Sequence, residues 1–187
     1  VRVSKVNVIR WMAKIYISIM RGTPLMLQLL VVFFGPYYVL GISLSYSYRF
    51  DAVIIGFALN YAAYCAEIFR SGIQAIPAGQ SEAAKSLGMT TSQTLISVIF
   101  PQAIKNTFPS IGNQLIVNIK DSSMLNVISV TELYFQTTSV AGSNMKYIEC
   151  FLIAAIIYLF LTTISTFILN YIEKRLNSEK QSKDFCS

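Results

Sequence analysis

Three side chains able to form hydrogen bonds lie within an apolar run of the sequence. Asn60, Tyr64 and Glu67 follow one another at i, i+4 and i+7, a spacing that places them on one face of an α-helix. Polar groups at membrane depth are costly, so they either bond to neighbouring helices or line the path of a polar substrate. Both interpretations stay open here, and Glu67 can instead pair with Arg70. The three residues are candidates for a substrate pathway.

A second polar cluster, Asp121-Ser122-Ser123, follows the next apolar run. A carboxylate beside two hydroxyl groups can hold a cationic ammonium group through charge-assisted hydrogen bonds. The same three residue types also cap helices, and the sequence favours neither role. Gln114 and Glu132 are weaker candidates of the same kind.

A third polar stretch, residues 80–100, has the composition of a short helix displayed to a partner. Ser81 is the predicted N-cap, and Glu82 is expected in the first turn, where its charge suits the helix dipole. Ala83 and Ala84 give a small-residue surface that could enter a groove on another protein. Gly88 is expected to end the helix in a left-handed conformation.

A second short helix is predicted directly afterwards. Thr91 or Ser92 can cap a helix that runs from Gln93 to Phe100. Pro101 is expected to stop it, because proline lacks the backbone N–H that a helix interior needs.

The sequence offers no catalytic constellation. It contains no histidine, so a serine or cysteine nucleophile would lack its usual base. No phosphate-binding glycine-rich loop is present, and the three cysteines are scattered. We therefore expect no enzymatic activity, no metal site and no cofactor in this chain.

The composition is typical of a membrane protein. The chain has 187 residues, of which 54% are hydrophobic and 13% charged, and its mean hydropathy is +0.54. The net charge of +6 could suggest a nucleic-acid partner. The positive-inside bias of membrane proteins explains that charge better. We therefore expect the chain to lie in a lipid membrane and to bind no nucleic acid.

The hydrophobic pattern predicts one transmembrane domain over residues 1–187, built entirely of helices. Residues 1–21 mix basic and apolar side chains and are predicted to form a cytoplasmic interfacial helix, with a basic arm for nucleic acid as the alternative. The predicted membrane spans are 25–44, 52–69, 104–119 and 148–171. Residues 172–187 form a tail.

The distribution of lysine and arginine orients these spans. Alternate sides of the predicted membrane hold twelve and three of the fifteen basic residues. The positive-inside rule places the twelve in the cytoplasm. The N-terminal helix, the loop 80–100 and the C-terminal tail are therefore expected to face the cytoplasm.

The polar loop carries a recognisable motif. Glu82-Ala83-Ala84, Gly88 after three residues, and Val98, Phe100 and Pro101 further on together resemble the EAA loop of bacterial ABC-importer permeases. Val98 and Phe100 stand where that family often has Ile and Leu. Four further short motifs resemble the polar amino-acid branch of that family: 21–24 (RGTP), 66–73 (AEIFRSGI), 101–103 (PQA) and 120–123 (KDSS). That branch imports substrates of the histidine, glutamine, arginine and cystine type.

The resemblance implies an all-α, polytopic transmembrane helical bundle with the type I ABC-importer permease (MetI-like) fold. It implies that Glu82, Ala83, Ala84, Gly88 and Pro101 couple the chain to a partner. The implied partners are an ABC ATPase dimer that binds ATP and Mg²⁺, a second permease copy (identical or a sister permease), and an extracytoplasmic amino-acid-binding protein. The implied location is the bacterial cytoplasmic (inner or plasma) membrane. The family usually has one more helix before Arg21, so we expect this chain to lack the first one.

Two other function classes stay open. A fragment of a secondary transporter would show an internal repeat with similarly broken helices, and none is apparent. A membrane sensor or assembly protein that transports nothing is suggested only by the basic N-terminal segment. A co-purifying ATPase would separate the importer from both.

Overall fold

The computed structural model describes residues 7–42 and 47–184, with side chains through residue 175, and this part contains helices and no strand. The prediction of an all-α fold is confirmed. In chain order the elements are α1 (Asn7–Gly22), α2 (Leu25–Leu40), α3 (Tyr48–Gln74), α4 (Ala78–Ser86), α5 (Thr91–Gln93), a π-helical segment (Thr94–Ile99), α6 (Phe100–Asp121), a 3-10 segment (Ser122–Ile128), α7 (Leu133–Asn144) and α8 (Tyr147–Asp184).

Some of these helices are long and apolar enough to cross a bilayer. Among the described residues, α3 and the Tyr147–Arg175 part of α8 meet this condition separately. Helices α1 and α2 meet it only as a pair, and they are bent by 109° at their junction. Helix α6 falls short because Asn106, Asn113 and Asn118 interrupt its apolar surface. A four-span arrangement therefore stays a prediction.

The helices divide into two compact units, and the first comprises Val1–Tyr64 and Ile119–Leu159. Within it, α2 packs against α3, and Leu29 of α2 is fully buried. A Cβ atom on Gly56 would lie 2.7 Å from Leu29 Cδ2, so the glycine allows the leucine to approach the α3 backbone. The Tyr48 hydroxyl donates to the Val32 carbonyl at 3.0 Å and fixes the same pair of helices further along.

The second unit comprises Cys65–Asn118 and Phe160–Ser187. Here α3 and α6 meet at Gly72, where a Cβ atom would lie 2.1 Å from Thr107 Cγ2 and 3.2 Å from the Ala103 carbonyl oxygen. Thr107 and Ala103 are each 1% exposed. Close approach of two helix backbones at small residues is the usual way that membrane helices pack.

We expect Gly72→Ala to destabilise the second unit. The added methyl group would overlap a buried side chain and approach backbone, and overpacking of this kind costs about 1–3 kcal/mol. The measurement is the thermal unfolding midpoint of the detergent-solubilised chain. Gly35→Ala is the control, because its added methyl group would meet no atom within 4 Å. Thr107→Ser removes the overlapping methyl group and should restore part of the loss; an unchanged midpoint in Gly72→Ala would contradict the packing argument.

Candidate functional site: the polar loop and the polar groups of the helices

The polar loop begins one turn earlier than its sequence suggested. Helix α4 starts at Ala78 with Pro77 as its N-cap, and the Gln80 N–H donates to the Pro77 carbonyl at 3.1 Å. The predictions that Ser81 is the N-cap and that Glu82 lies in the first turn are therefore wrong. The fixed φ of proline, −57° at Pro77, favours a helix start at this position, and no side chain forms a capping hydrogen bond there.

The end of α4 has the predicted left-handed glycine. Gly88 has a φ of +81°, so this prediction is confirmed. Its N–H donates to the Lys85 carbonyl at 2.9 Å, and the Met89 N–H donates to the Ala84 carbonyl at 3.1 Å. This pair of hydrogen bonds is a Schellman motif, which closes a helix by turning the chain through a left-handed residue.

The second helix of the loop is capped by a residue that sequence reasoning missed. The Thr90 hydroxyl accepts from the Gln93 N–H at 3.3 Å, and the Gln93 side chain accepts from the Thr90 N–H at 2.9 Å. This is a capping box with threonine and glutamine three residues apart, a signal that was readable in the sequence. The prediction that Thr91 or Ser92 caps this helix is wrong.

Pro101 does not stop the helix. The chain passes from the π-helical segment Thr94–Ile99 into α6, and Pro101 is the second residue of α6. The wider turn of a π-helix changes the backbone hydrogen-bonding register just before the proline, whose ring would otherwise clash with the carbonyl four residues earlier. The prediction of a helix end at Phe100 is therefore wrong.

The two alanines of the loop face different surroundings. Helix α4 packs against the π-helical segment, and Ala84 is 5% exposed there while Thr94 is 3% exposed. Glu82 and Ala83 are exposed, and Leu87 is 84% exposed. The loop is thus a packed hairpin held on its inner side by Ala84. On its outer side the loop exposes the small side chain of Ala83 and the large apolar side chain of Leu87.

In the structure, the polar face predicted on α3 contacts α1 and α2. Asn60, 6% exposed, donates through Nδ2 to Gln28 Oε1 at 2.9 Å and to the Met20 carbonyl at 3.3 Å. The Tyr64 ring lies 5.6 Å from the Arg21 guanidinium carbon, within the range of a cation–π contact. These contacts give the interhelical interpretation a structural basis at Asn60 and Tyr64.

Glu67 makes the alternative contact that its spacing allowed. It accepts a hydrogen bond from Arg70 Nε at 2.9 Å and forms an ion pair with the same guanidinium group, so the alternative pairing is present. Arg70 also donates to the Gln74 side chain. The role of Glu67 in a substrate pathway stays a prediction.

Gln28 is the polar residue that sequence reasoning missed. Its amide nitrogen donates to the carbonyls of Met20 and Thr23 at 2.9 and 3.0 Å, and to the Thr23 hydroxyl at 2.8 Å. These bonds stabilise the bend between α1 and α2. A signal was present, because Gln28 is the sole amide side chain in the apolar run Leu25–Leu40, where a polar group needs a partner.

The second polar cluster lies where α6 gives way to the 3-10 segment. The hydroxyls of Ser122 and Ser123 donate to the carbonyls of Ile119 and Lys120 at 2.7 and 2.8 Å. Asp121 is partly buried and makes no capping hydrogen bond to the 3-10 segment that follows. The serines are therefore occupied by the preceding turn, whereas the Asp121 carboxylate is not used as a cap.

The weaker candidates lie in separate places. Gln114 is half-buried on α6. Glu132 is the N-cap of α7: its carboxylate accepts from the Tyr134 N–H at 2.7 Å and from the Phe135 N–H. The Tyr158 hydroxyl also donates to it at 3.2 Å. Within residues 7–42 and 47–175, no group of His, Cys, Asp and Glu side chains could hold a metal ion.

Comparison with known proteins decides the family. Residues 3–178 match the family described as the inner membrane component of binding-protein-dependent transport systems. The chain belongs to this family. As a member, this permease component adopts the type I ABC-importer (MetI-like) fold, and the prediction of that fold and family is confirmed.

Relatives of this permease carry names from amino-acid transport. It is 41% identical over 175 residues to the probable amino-acid ABC transporter permease protein YckA of Bacillus subtilis (strain 168), covering 93% of this chain and 75% of the relative. It is 39% identical over 168 residues to the arginine transport system permease protein ArtQ of the same organism, with 90% and 75% covered. It also superposes on the crystal structure of an amino acid ABC transporter with histidines, with a TM-score of 0.85, 39% identity, and 93% and 79% of the two chains covered.

Proposed function

We propose that this permease is the pore-forming subunit of an ATP-driven importer for polar amino acids. The observation that supports it most strongly is the structured loop of residues 78–100 in a member of this transport family. Relatives named as arginine, glutamine and L-cystine transport system permeases support the substrate class. A separate ATPase dimer supplies the energy and binds ATP and Mg²⁺.

The coupling step follows from the shape of the loop. Helix α4 is short, packed on its inner side and closed at its C-terminal end by the Schellman motif, so a partner can move it as one piece. Glu82 and Ala83 contact the ATPase, Ala84 and Gly88 hold the shape of the helix, and Pro101 joins the loop to α6. ATP binding by the partner moves the loop, and the permease shifts between inward-open and outward-open packings. Physically this is a population shift driven by different contacts in the two states.

The remaining assembly follows from the same proposal. A second permease copy, identical or a sister chain, completes the pore. An extracytoplasmic binding protein delivers the amino acid. The protein lies in the cytoplasmic membrane, with the loop, α1 and the C-terminal tail on the cytoplasmic side, as the twelve-to-three distribution of basic residues indicates.

We propose that the substrate pathway includes Asp121 and its neighbours Ser122 and Ser123, together with the α3 face of Asn60, Tyr64 and Glu67. Asp121 is the strongest of these, because its carboxylate is partly buried and is not used to cap the next helix. A partly buried carboxylate that does not cap a helix can bind the ammonium group that every amino acid carries.

Asp121→Asn is expected to weaken substrate binding. The substitution keeps the size and removes the charge, and a lost charge-assisted hydrogen bond costs roughly 1.5–3 kcal/mol, equivalent to about ten-fold or more in affinity. The measurement is the substrate concentration for half-maximal uptake in reconstituted vesicles. Asp51→Asn is the matched control, since it removes the same charge at an exposed position outside the proposed pathway. An unchanged half-maximal concentration at normal protein level would remove Asp121 from the pathway.

One experiment tests the function as a whole. The tagged chain is purified from cells that also produce a candidate ABC ATPase, and the complex is reconstituted with a candidate amino-acid-binding protein. We expect ATP inside the vesicles to drive accumulation of a labelled polar amino acid. Accumulation driven by an ion gradient without the ATPase would favour a secondary transporter. A chain that recruits no ATPase and transports nothing would favour a sensor or assembly protein.

A further inference from the structure

Helix α1 has three distinct faces. A helix advances 100° per residue, so the positions of its side chains follow from their numbers. The inner face packs against other helices of the first unit. Ile17 is 6% exposed, and the Tyr16 hydroxyl donates to the Leu59 carbonyl of α3. Because these contacts fix the rotation of α1 about its axis, they also fix what its other two faces present.

One outer face is apolar and uncovered by any described residue. Its five members project within about 100° of one another by the helical period, and they are Val8, Trp11, Met12, Ile15 and Ile19. Trp11 is 65% exposed and Met12 is 62% exposed. In water, a stripe of this size on a single helix would be costly, so it indicates an apolar environment on that side.

The other outer face is basic. Arg10, Lys14 and Arg21 recur at intervals that bring them onto one stripe, and α1 contains no aspartate or glutamate. Arg21 is placed over the Tyr64 ring. Arg10 and Lys14 are exposed and, with Trp11, line one open surface depression at the boundary between the basic and the apolar faces.

The bend between α1 and α2 sets the direction of these faces. An angle of 109° places α1 nearly parallel to the bilayer plane when α2 runs along its normal. The Met20 carbonyl accepts from both Gln28 and Asn60, and this fixes the bend. Tryptophan at the boundary between an apolar and a cationic face is suited to the depth of lipid headgroups.

We propose that α1 is a binding site for anionic phospholipids of the bilayer. The apolar face enters the acyl boundary, and Arg10 and Lys14 bind the lipid phosphates beside Trp11. Attraction of each basic residue to an anionic leaflet amounts to about 1 kcal/mol, or about five-fold in affinity. This site is independent of the proposed transport function, since it needs neither an ATPase nor a substrate.

The test uses Trp11, which is the single tryptophan of the chain. The full chain is reconstituted in vesicles of phosphatidylglycerol and phosphatidylcholine, with bromine atoms carried either by the anionic or by the zwitterionic lipid at equal bromine content. Brominated acyl chains quench tryptophan on contact. We expect quenching by the anionic lipid to be at least about two-fold stronger, reflecting its local enrichment, and to weaken as salt rises.

Two double variants give the comparison. Arg10→Gln with Lys14→Gln should bring the ratio of the two quenching strengths close to one. Lys105→Gln with Lys146→Gln removes the same charge from other exposed positions and should keep the wild-type ratio. Equal quenching by both lipids in the wild type, or an unchanged ratio in the first variant, would overturn the proposal. Absence of quenching by either lipid would also overturn it and assign the apolar face to a protein partner.

Discussion

Gly88→Val is expected to remove most of the ATP hydrolysis that a substrate-loaded binding protein stimulates. Gly88 has a φ of +81°, and a β-branched side chain is strained in that region. Apart from its chain neighbours, no atom lies within 4 Å of the added Cβ position, so we attribute the effect to the backbone conformation. Strain of about 1–3 kcal/mol would open the Schellman motif and shift the end of α4, and we expect a loss of stimulated hydrolysis of about ten-fold or more.

Two variants make this prediction specific. Gly88→Asn should retain most of the activity, because asparagine tolerates the left-handed conformation. Gly79→Val places the same side chain in a helical part of α4 with equally open space, and should cost much less. Stimulated hydrolysis and a pull-down of the ATPase are measured in vesicles. Full activity in Gly88→Val would show that the left-handed turn is dispensable for coupling.

Ala83→Asp is expected to prevent binding of the ATPase while the permease itself stays folded. Ala83 is exposed in the chain, so a carboxylate there is fully hydrated until a partner covers it. Burying an unpaired charge in the interface would cost roughly 2–5 kcal/mol, or about thirty-fold or more in affinity. The measurement is the amount of ATPase that co-purifies with the tagged chain.

Ala84 provides the contrast, because its side chain faces the interior of the loop. Ala84→Asp would force a charge against the π-helical segment, and we expect it to lower the thermal unfolding midpoint even without the ATPase. Ala83→Ser, small and neutral, should leave ATPase binding intact. If Ala83→Asp bound the ATPase normally, the exposed side of α4 would not be the contact surface.

The features that the sequence predicted well are local ones. Gly88 follows a polar helix of small residues, and only glycine adopts a left-handed turn without strain, so its conformation could be inferred from its position. The pair Glu67 and Arg70 needed only the helical spacing. The all-helical membrane fold followed from the length and number of the apolar runs.

The errors came from competition between local signals. Ser81 is a good N-cap, but Pro77 begins the helix earlier, so the serine lies within it. Pro101 ordinarily ends a helix, yet a π-helical segment accommodates it. Thr90 and Gln93 had the spacing of a capping box, whereas the neighbouring threonine and serine offered equally plausible caps.

The partners of Asn60 could not be inferred from the sequence. Gln28 lies 32 positions away and the Met20 carbonyl 40 positions away, so the contact depends on how α1, α2 and α3 pack. The spacing of Asn60 and Tyr64 predicted a shared face, but it could not distinguish neighbouring helices from a substrate as the group they contact. The different surroundings of Ala83 and Ala84 likewise depend on the packing of α4.

The most direct measurement of the central claim, that the outer side of α4 contacts an ATPase, is site-directed crosslinking in the assembled complex. Single cysteines replace Ala83 or Leu87 in a variant whose Cys65, Cys150 and Cys186 are changed to serine, and Ile42→Cys serves as an exposed control predicted to lie on the opposite side of the membrane. A short photoactivatable crosslinker is attached to each thiol. We expect a crosslinked product with the ATPase from positions 83 and 87 and none from position 42. A product from position 42 alone, or from no position in a complex that still hydrolyses ATP, would contradict it.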